Sequence, residues 1–132
     1  MTPCIVIDTN IALDLLVFND PACAPLQAAL DAGELRWLAT TAMRDELARV
    51  LGYPKIAPRL VYYRRTPAAV LADFDRQTQC VEAAPRATVV CKDPDDQIFI
   101  DLAVAHCAPL RSKDRAVRVL RKRLAALGVD VT

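Results

Sequence analysis

With 132 residues, 54% of them hydrophobic, the chain is long enough to bury one core and too short for a two-domain cofactor enzyme. Its three glycines, Gly33, Gly52 and Gly128, lie far apart, and His106 is its single histidine, which excludes the Walker P-loop, the GxGxxG turn, the GxSxG elbow, paired-histidine nucleases and HExxH proteases. The net charge of +1 sums unequal parts: residues 1–35 hold five acids and no base, residues 111–132 seven bases and two acids, which fits an acidic site with a separate basic surface or a solvated amphipathic helix.

Residues 3–8 (PCIVID) form a short apolar run closing on a carboxylate, which predicts a buried parallel strand. Helical composition follows over 9–17 and 22–32, separated by the turn-like Asn19-Asp20-Pro21 and ended by Gly33. A second strand is expected at 35–39, then a helix over 42–51, capped by Thr40-Thr41 and stopped by Gly52. Residues 53–66, broken by Pro54 and Pro58, read as a loop with one helical turn or a short helix. Pro67 opens a helix over 67–79, and a weak strand at 80–83 leads through a Pro85 loop to the segment 92–106. There every residue from Ile98 to Ala105 except Asp101 is apolar, so this is expected to be the most buried helix. A strand at 108–111, a basic amphipathic helix at 114–127 and a terminal strand at 128–131 complete the alternation, which predicts one α/β domain over residues 1–132 with a mainly parallel sheet and right-handed crossovers.

Cys4, Cys23, Cys80, Cys91 and Cys107 show no metal-ligand spacing, and their odd number argues against a disulfide framework, so reduced, packed thiols are expected. No window approaches the ~20 apolar residues of a membrane span, and no basic-then-apolar stretch opens the chain, so the expected location is the cytoplasm.

In parallel α/β sheets, chemistry gathers at the carboxyl ends of the strands. Asp8 closes the first strand and Asp114 follows the 108–111 strand, and Asp93, Asp95 and Asp96 join them at that edge if the buried helix begins there. Carboxylates converging without matching bases repel one another, and a hard divalent cation relieves the repulsion; Mg²⁺ or Mn²⁺ suits an all-oxygen set better than Zn²⁺. The same acids also fit local roles, since Asp93-Pro94-Asp95-Asp96 makes a good helix N-terminus and Asp114 can cap the last helix. Asp8 is harder to assign that way, because an acid directly after an apolar strand risks desolvation. At ~100° per residue, Glu46 falls about 40° outside the stripe of Met43, Leu47, Val50 and Leu51, either overhanging the sheet edge or serving as an ordinary boundary residue.

The segments Val6–Leu16 (VIDTNIALDLL), Arg44–Lys55 (RDELARVLGYPK), Cys91–Ala105 (CKDPDDQIFIDLAVA) and Arg111–Asp114 (RSKD), in this order and spacing, resemble a PIN domain. They are most similar to the PIN proteins described as toxin components of toxin–antitoxin systems, of the same broad kind as VapC toxins. The resemblance spans residue 4 to the final strand. It implies a three-layer α/β/α fold with four or five short strands, and a ribonuclease using one or two Mg²⁺ or Mn²⁺ ions. Position by position, it implies Asp8, Glu46, Asp96 and Asp114 as catalytic acids, with Asp8, Asp96 and Asp114 as metal ligands, Asp93 as an additional ligand and Asp95 ranked below it. Thr9 and Asn10 match the polar pair after the first acid, with Asn10 orienting Asp8 or a water, and Ser112 matches the hydroxyl two places before the fourth acid. The chain departs from the pattern at Leu110-Arg111-Ser112-Lys113-Asp114, where such proteins carry an apolar residue and then Thr-Gly-Asp or Thr-Arg-Asp. Arg111 is read as a phosphate contact or as the partner of a nearby carboxylate.

On this reading single-stranded RNA is hydrolysed by in-line attack, Glu46 positions or deprotonates the water, and Arg111, Lys113 and Arg115 hold the RNA backbone. Tyr62, Tyr63 and Trp37 read more simply as packing than as base-stacking rings. The resemblance also implies a cognate antitoxin and a homodimer. Two other readings exist: a PIN fold acting mainly as a partner-docking or RNA-binding module through the basic helix or the 53–65 segment, and a haloacid-dehalogenase-like phosphatase built on Asp8-Thr9-Asn10. The phosphatase needs a second Asp where Asn10 stands and a longer chain.

Overall fold

The structure, a computed structural model, describes residues 2–132. Strand β1 (Cys4–Ile7) is followed by helix α1 (Thr9–Leu13), which widens into a π-helical stretch over Asp14–Phe18. A 3₁₀ turn (Pro21–Cys23) leads into α2 (Ala24–Asp31), and β2 (Arg36–Ala39) follows. Next come α3 (Thr41–Leu51), α4 (Ala57–Tyr62), α5 (Pro67–Gln77) and β3 (Thr78–Cys80). A 3₁₀ turn (Pro94–Asp96) opens α6 (Gln97–His106), and β4 (Leu110–Arg111), α7 (Arg115–Arg118) and α8 (Arg121–Ala125) complete the chain.

The four strands pair in the order β3-β2-β1-β4, all parallel. Ile5, Val6 and Ile7 of β1 are all buried, as befits a strand covered on both faces. The chain steps from β1 outward through β2 to β3 and then crosses back to β4. Right-handed crossovers in the two directions place helices on opposite faces, giving the α/β/α layers. Because β2 and β4 flank β1 on opposite sides, loops leaving β1 and β4 diverge at their carboxyl ends and open a crevice there.

Trp37 of β2 is 1% exposed and meets Phe74 of α5 edge-on, with ring centroids 5.3 Å apart, so this ring belongs to the core and not to a nucleic-acid surface. Thr40 caps α3 as expected, accepting from Met43 N, and Thr66, ahead of Pro67, caps α5 by accepting from Ala69 N. All five cysteines are free. Among the described residues no helix is long and apolar enough to cross a membrane.

Four expectations change in detail. The strand placed at 80–83 lies at Thr78–Cys80, because α5 ends early where the Thr78 hydroxyl turns back onto Phe74 O. The helix expected at 114–127 breaks between α7 and α8, with Val117, Leu120 and Leu124 buried across the break and its bases exposed. The terminal strand shrinks to a bridge between Val131 and Leu110, since Gly128, at φ +83°, turns the chain only just before its end. Helix α6 is buried along Gln97, Phe99, Ile100, Leu102 and Ala103 but emerges at Ala105 and His106, so the apolar run marks one deep face and an exposed end.

Candidate active site

Asp8 follows the last residue of β1 and is 3% exposed. Its Oδ1 accepts from Ile11 N at 3.0 Å, capping α1, and its Oδ2 accepts from the Ser112 hydroxyl. Ser112, itself buried beyond β4, in turn accepts at Oγ from Asp114 N at 3.1 Å. One hydroxyl therefore ties the carboxyl ends of β1 and β4 together and sets the backbone of Asp114. Burial pushes the Asp8 carboxyl above its ordinary range, against the opposing effect of the Ser112 and Ile11 hydrogen bonds.

Asp93, Asp96 and Asp114 each present a carboxylate oxygen, all within 4.8 Å of one another. Two of them are also caps: Asp93 accepts from Asp95 N at 3.0 Å and Asp114 from Ala116 N at 2.9 Å. Asp96 is different. It stands at the start of α6 without a capping bond, and its Oδ2 is buried with no hydrogen-bond partner among the described residues. Burial, then the charges of Asp114 and Asp93, push its carboxyl up to about 7. An orphaned buried carboxylate oxygen beside two more acids, in an all-oxygen donor set, fits a hard divalent cation. Asp8 lies outside this tight trio, with one hydrogen bond accepted at each of its oxygens.

Glu46 faces the same region from α3. Its carboxylate accepts from the Thr9 hydroxyl, and burial raises it despite that bond, with the charge of Asp95 adding to the rise. A cleft of about 160 Å³ is lined by Asp8, Thr9, Asn10, Glu46, Asp93, Asp95 and Asp96, with Val50 and Tyr53 at its wall. Asp95, ranked low from the sequence, is thus a wall of the cleft: the Pro94–Asp96 turn is 3₁₀, and its pitch differs from the α-helix that a capping pattern suggests. Asn10 lines the cleft, but Asp8 is oriented by Ser112 and Ile11 N, and the Asn10 side chain makes no hydrogen bond among the described residues.

The segment carrying Asp93–Asp96 is held by residues the sequence reading did not single out. Buried Gln97 accepts from Cys91 N at 2.6 Å and donates to Val89 O at 3.0 Å and Asp101 Oδ1 at 2.8 Å. Asp101 Oδ1 also accepts from Ala87 N at 2.8 Å. The Cys91 thiol donates to Ala116 O at 3.5 Å, linking the strap before Asp93 to the helix that Asp114 caps. A polar residue at the head of an otherwise apolar helix was the available signal.

The three bases expected to hold the RNA backbone lie outside the acidic cleft, as placed from the sequence. Lys113 Nζ pairs with Asp14 Oδ2 at 2.7 Å. Arg111 lines a separate cleft of about 400 Å³ together with Cys23 and Arg118, and Arg115 is exposed in the first turn of α7. None of the three lines the acidic cleft.

The sequence profile of the PIN domain matches residues 4–116, and the chain belongs to that family. Among solved structures it is similar to a chain in the crystal structure of VapBC2 from Rickettsia felis bound to a DNA fragment from their promoter, with a TM-score of 0.65 over 98% of each chain and 12% sequence identity. That likeness is one of fold. No curated protein matches in sequence.

Proposed function

We propose that this PIN domain is a metal-dependent ribonuclease that hydrolyses phosphodiester bonds of single-stranded RNA, and that it serves as the toxin of a type II toxin–antitoxin pair. The observation that carries the reading is the buried, unpartnered Asp96 Oδ2 within the Asp93–Asp96–Asp114 cluster. The fold shared with VapBC2 supports a cognate antitoxin as partner, and the family resemblance supports a homodimer.

Asp96, Asp114 and Asp93 would hold Mg²⁺ or Mn²⁺, with Asp8 behind them as a charge aligned by Ser112. Such an ion, when bound, supplies Lewis-acid stabilisation of phosphate charge and acidifies water. Glu46 then acts as the base: Thr9 holds its carboxylate in one orientation, and its raised pKa makes it a better proton acceptor than an exposed glutamate. Thr9 and Asn10 line the approach to that carboxylate. Hydrolysis of single-stranded RNA by the purified protein with Mn²⁺ tests the assignment. The Asp96→Asn variant is expected to lose activity by about 10²-fold or more, a typical acid–base and electrostatic contribution; equal cleavage by both proteins sinks it.

A docking role has one observation in its favour: Val61 and Tyr62 of α4 are 77% and 79% exposed. Growth arrest on expression that disappears with Asp8→Ala supports the nuclease, and arrest unaffected by that change supports docking.

A further inference from the structure

We propose that the cleft between the α1 segment and α4 is a nucleobase subsite, seating one base of the RNA strand beside the cleaved phosphodiester; this rests on the ribonuclease reading. The cleft encloses about 510 Å³, within the range of ~300–1,000 Å³ typical of small-ligand pockets. Asn10 lines both this cleft and the acidic one, so the two adjoin at a single side chain.

Its chemistry fits a base better than a phosphate. The Arg59 guanidinium lies 3.6 Å over the Phe18 ring, and Tyr63 meets the same ring at 5.7 Å with a 52° tilt, so the wall carries an aromatic–guanidinium cluster of the residue types on which RNA bases stack. The four charges of the wall cancel, Asp14 and Asp20 against Arg59 and Lys113, with Lys113 paired to Asp14 at 2.7 Å, so the wall has no net positive charge of the kind that draws a phosphate. It offers edges instead. Asp14 and Asn10 line the cleft, and neither Asp14 Oδ1 nor the Asn10 amide has a hydrogen-bond partner among the described residues. A neutral wall with acceptors, donors and a stacking face suits a flat, uncharged heterocycle; it gives a basic peptide no net charge to bind.

The test needs no cleavage. Isotope-labelled, metal-free protein is titrated with the four homopolymeric RNA hexanucleotides and with an abasic hexamer of the same backbone. At least one hexanucleotide is expected to shift the side-chain resonances of Arg59 and Asn10 and to bind at least fivefold more tightly than the abasic strand. Arg59→Ala and Arg59→Lys, checked for unchanged folding by near-UV circular dichroism, are both expected to erase that preference, since lysine keeps the charge and loses the plane. Full retention by Arg59→Lys means a phosphate contact and overturns the proposal. So does equal binding of intact and abasic strands, or a shift at Arg59 produced by a basic peptide and not by RNA. Absence of Mn²⁺-dependent cleavage, with the Arg59 response intact, sinks the nuclease reading and leaves RNA recognition by this cleft standing.

Discussion

Asp96 is where the site's electrostatics become measurable. In the metal-free protein burial, then Asp114 and Asp93, push its carboxyl from 3.8 to about 7. Between those values the folded state binds a proton that the unfolded chain does not, so stability is highest on the acid side and falls as pH rises through about 7. The raised carboxyls of Asp8 and Glu46 act in the same direction. The lowered carboxyl of Asp75, held down by its Arg44 hydrogen bond, acts below this window. The urea midpoint of metal-free protein is therefore expected to be higher at about pH 5.5 than at about pH 8, with Mn²⁺ raising it most at the higher pH, where the ligands are ionised. Asp96→Asn should flatten both dependences. Ser112 is the second informative residue: Ser112→Ala leaves Asp8 Oδ2 and Asp114 N–H without their shared partner and is expected to cost about 1–3 kcal/mol in urea unfolding, together with weaker Mn²⁺ binding by calorimetry.

Among the elements, α6 and the strap before it decide where the acids stand. The strap is tied to the first two turns of α6 through Gln97 and Asp101, and Asp93 follows Cys91 by two residues. Gln97→Leu preserves bulk but strands the Cys91 N–H and Val89 O, for an expected loss of about 2–3 kcal/mol. Hydrogen exchange should accelerate at Cys91 and Ala87 more than in β1, and Mn²⁺ affinity should fall although no proposed ligand has changed. Equal protection of the strap in wild type and variant would show that the clasp does not hold it. Local signals for helices were legible at Thr40, Asp93 and Asp114, whose side chains act on their own backbone, whereas the Thr66 cap ahead of Pro67 was not singled out. The split between α7 and α8 was not legible, because the stripe of Val117, Leu120 and Leu124 reads the same along one helix or two.

For the whole molecule, stability and site share one scaffold. The sheet core centres on β1 and β2, and Trp37 with Phe74 joins it to the α5 layer. Trp37→Ala is expected to cost about 3–5 kcal/mol by loss of burial and a residual cavity, seen as a lower thermal midpoint, with the metal-ligand residues untouched. A mainly parallel sheet of four or five short strands, with Asp8 and Asp114 beyond two of their carboxyl ends, was legible in the sequence, because apolar runs of strand length and the alternation with helical segments survive any tertiary detail; the structure keeps four strands and reduces the fifth to a bridge. The convergence of Asp8 and Asp114, 106 positions apart, followed from that topology through the β1–β4 pairing. Local sequence carries no vector for a side chain leaving a strand end or a 3₁₀ turn. Only the tertiary structure therefore decided that Asp8 accepts from Ser112 and Ile11 N while Asp96 keeps an unpartnered oxygen, that Asp95 walls the cleft, and that Lys113 pairs with Asp14. Those are outcomes of packing between segments distant in the chain, where hydrogen-bond partners and burial are settled together.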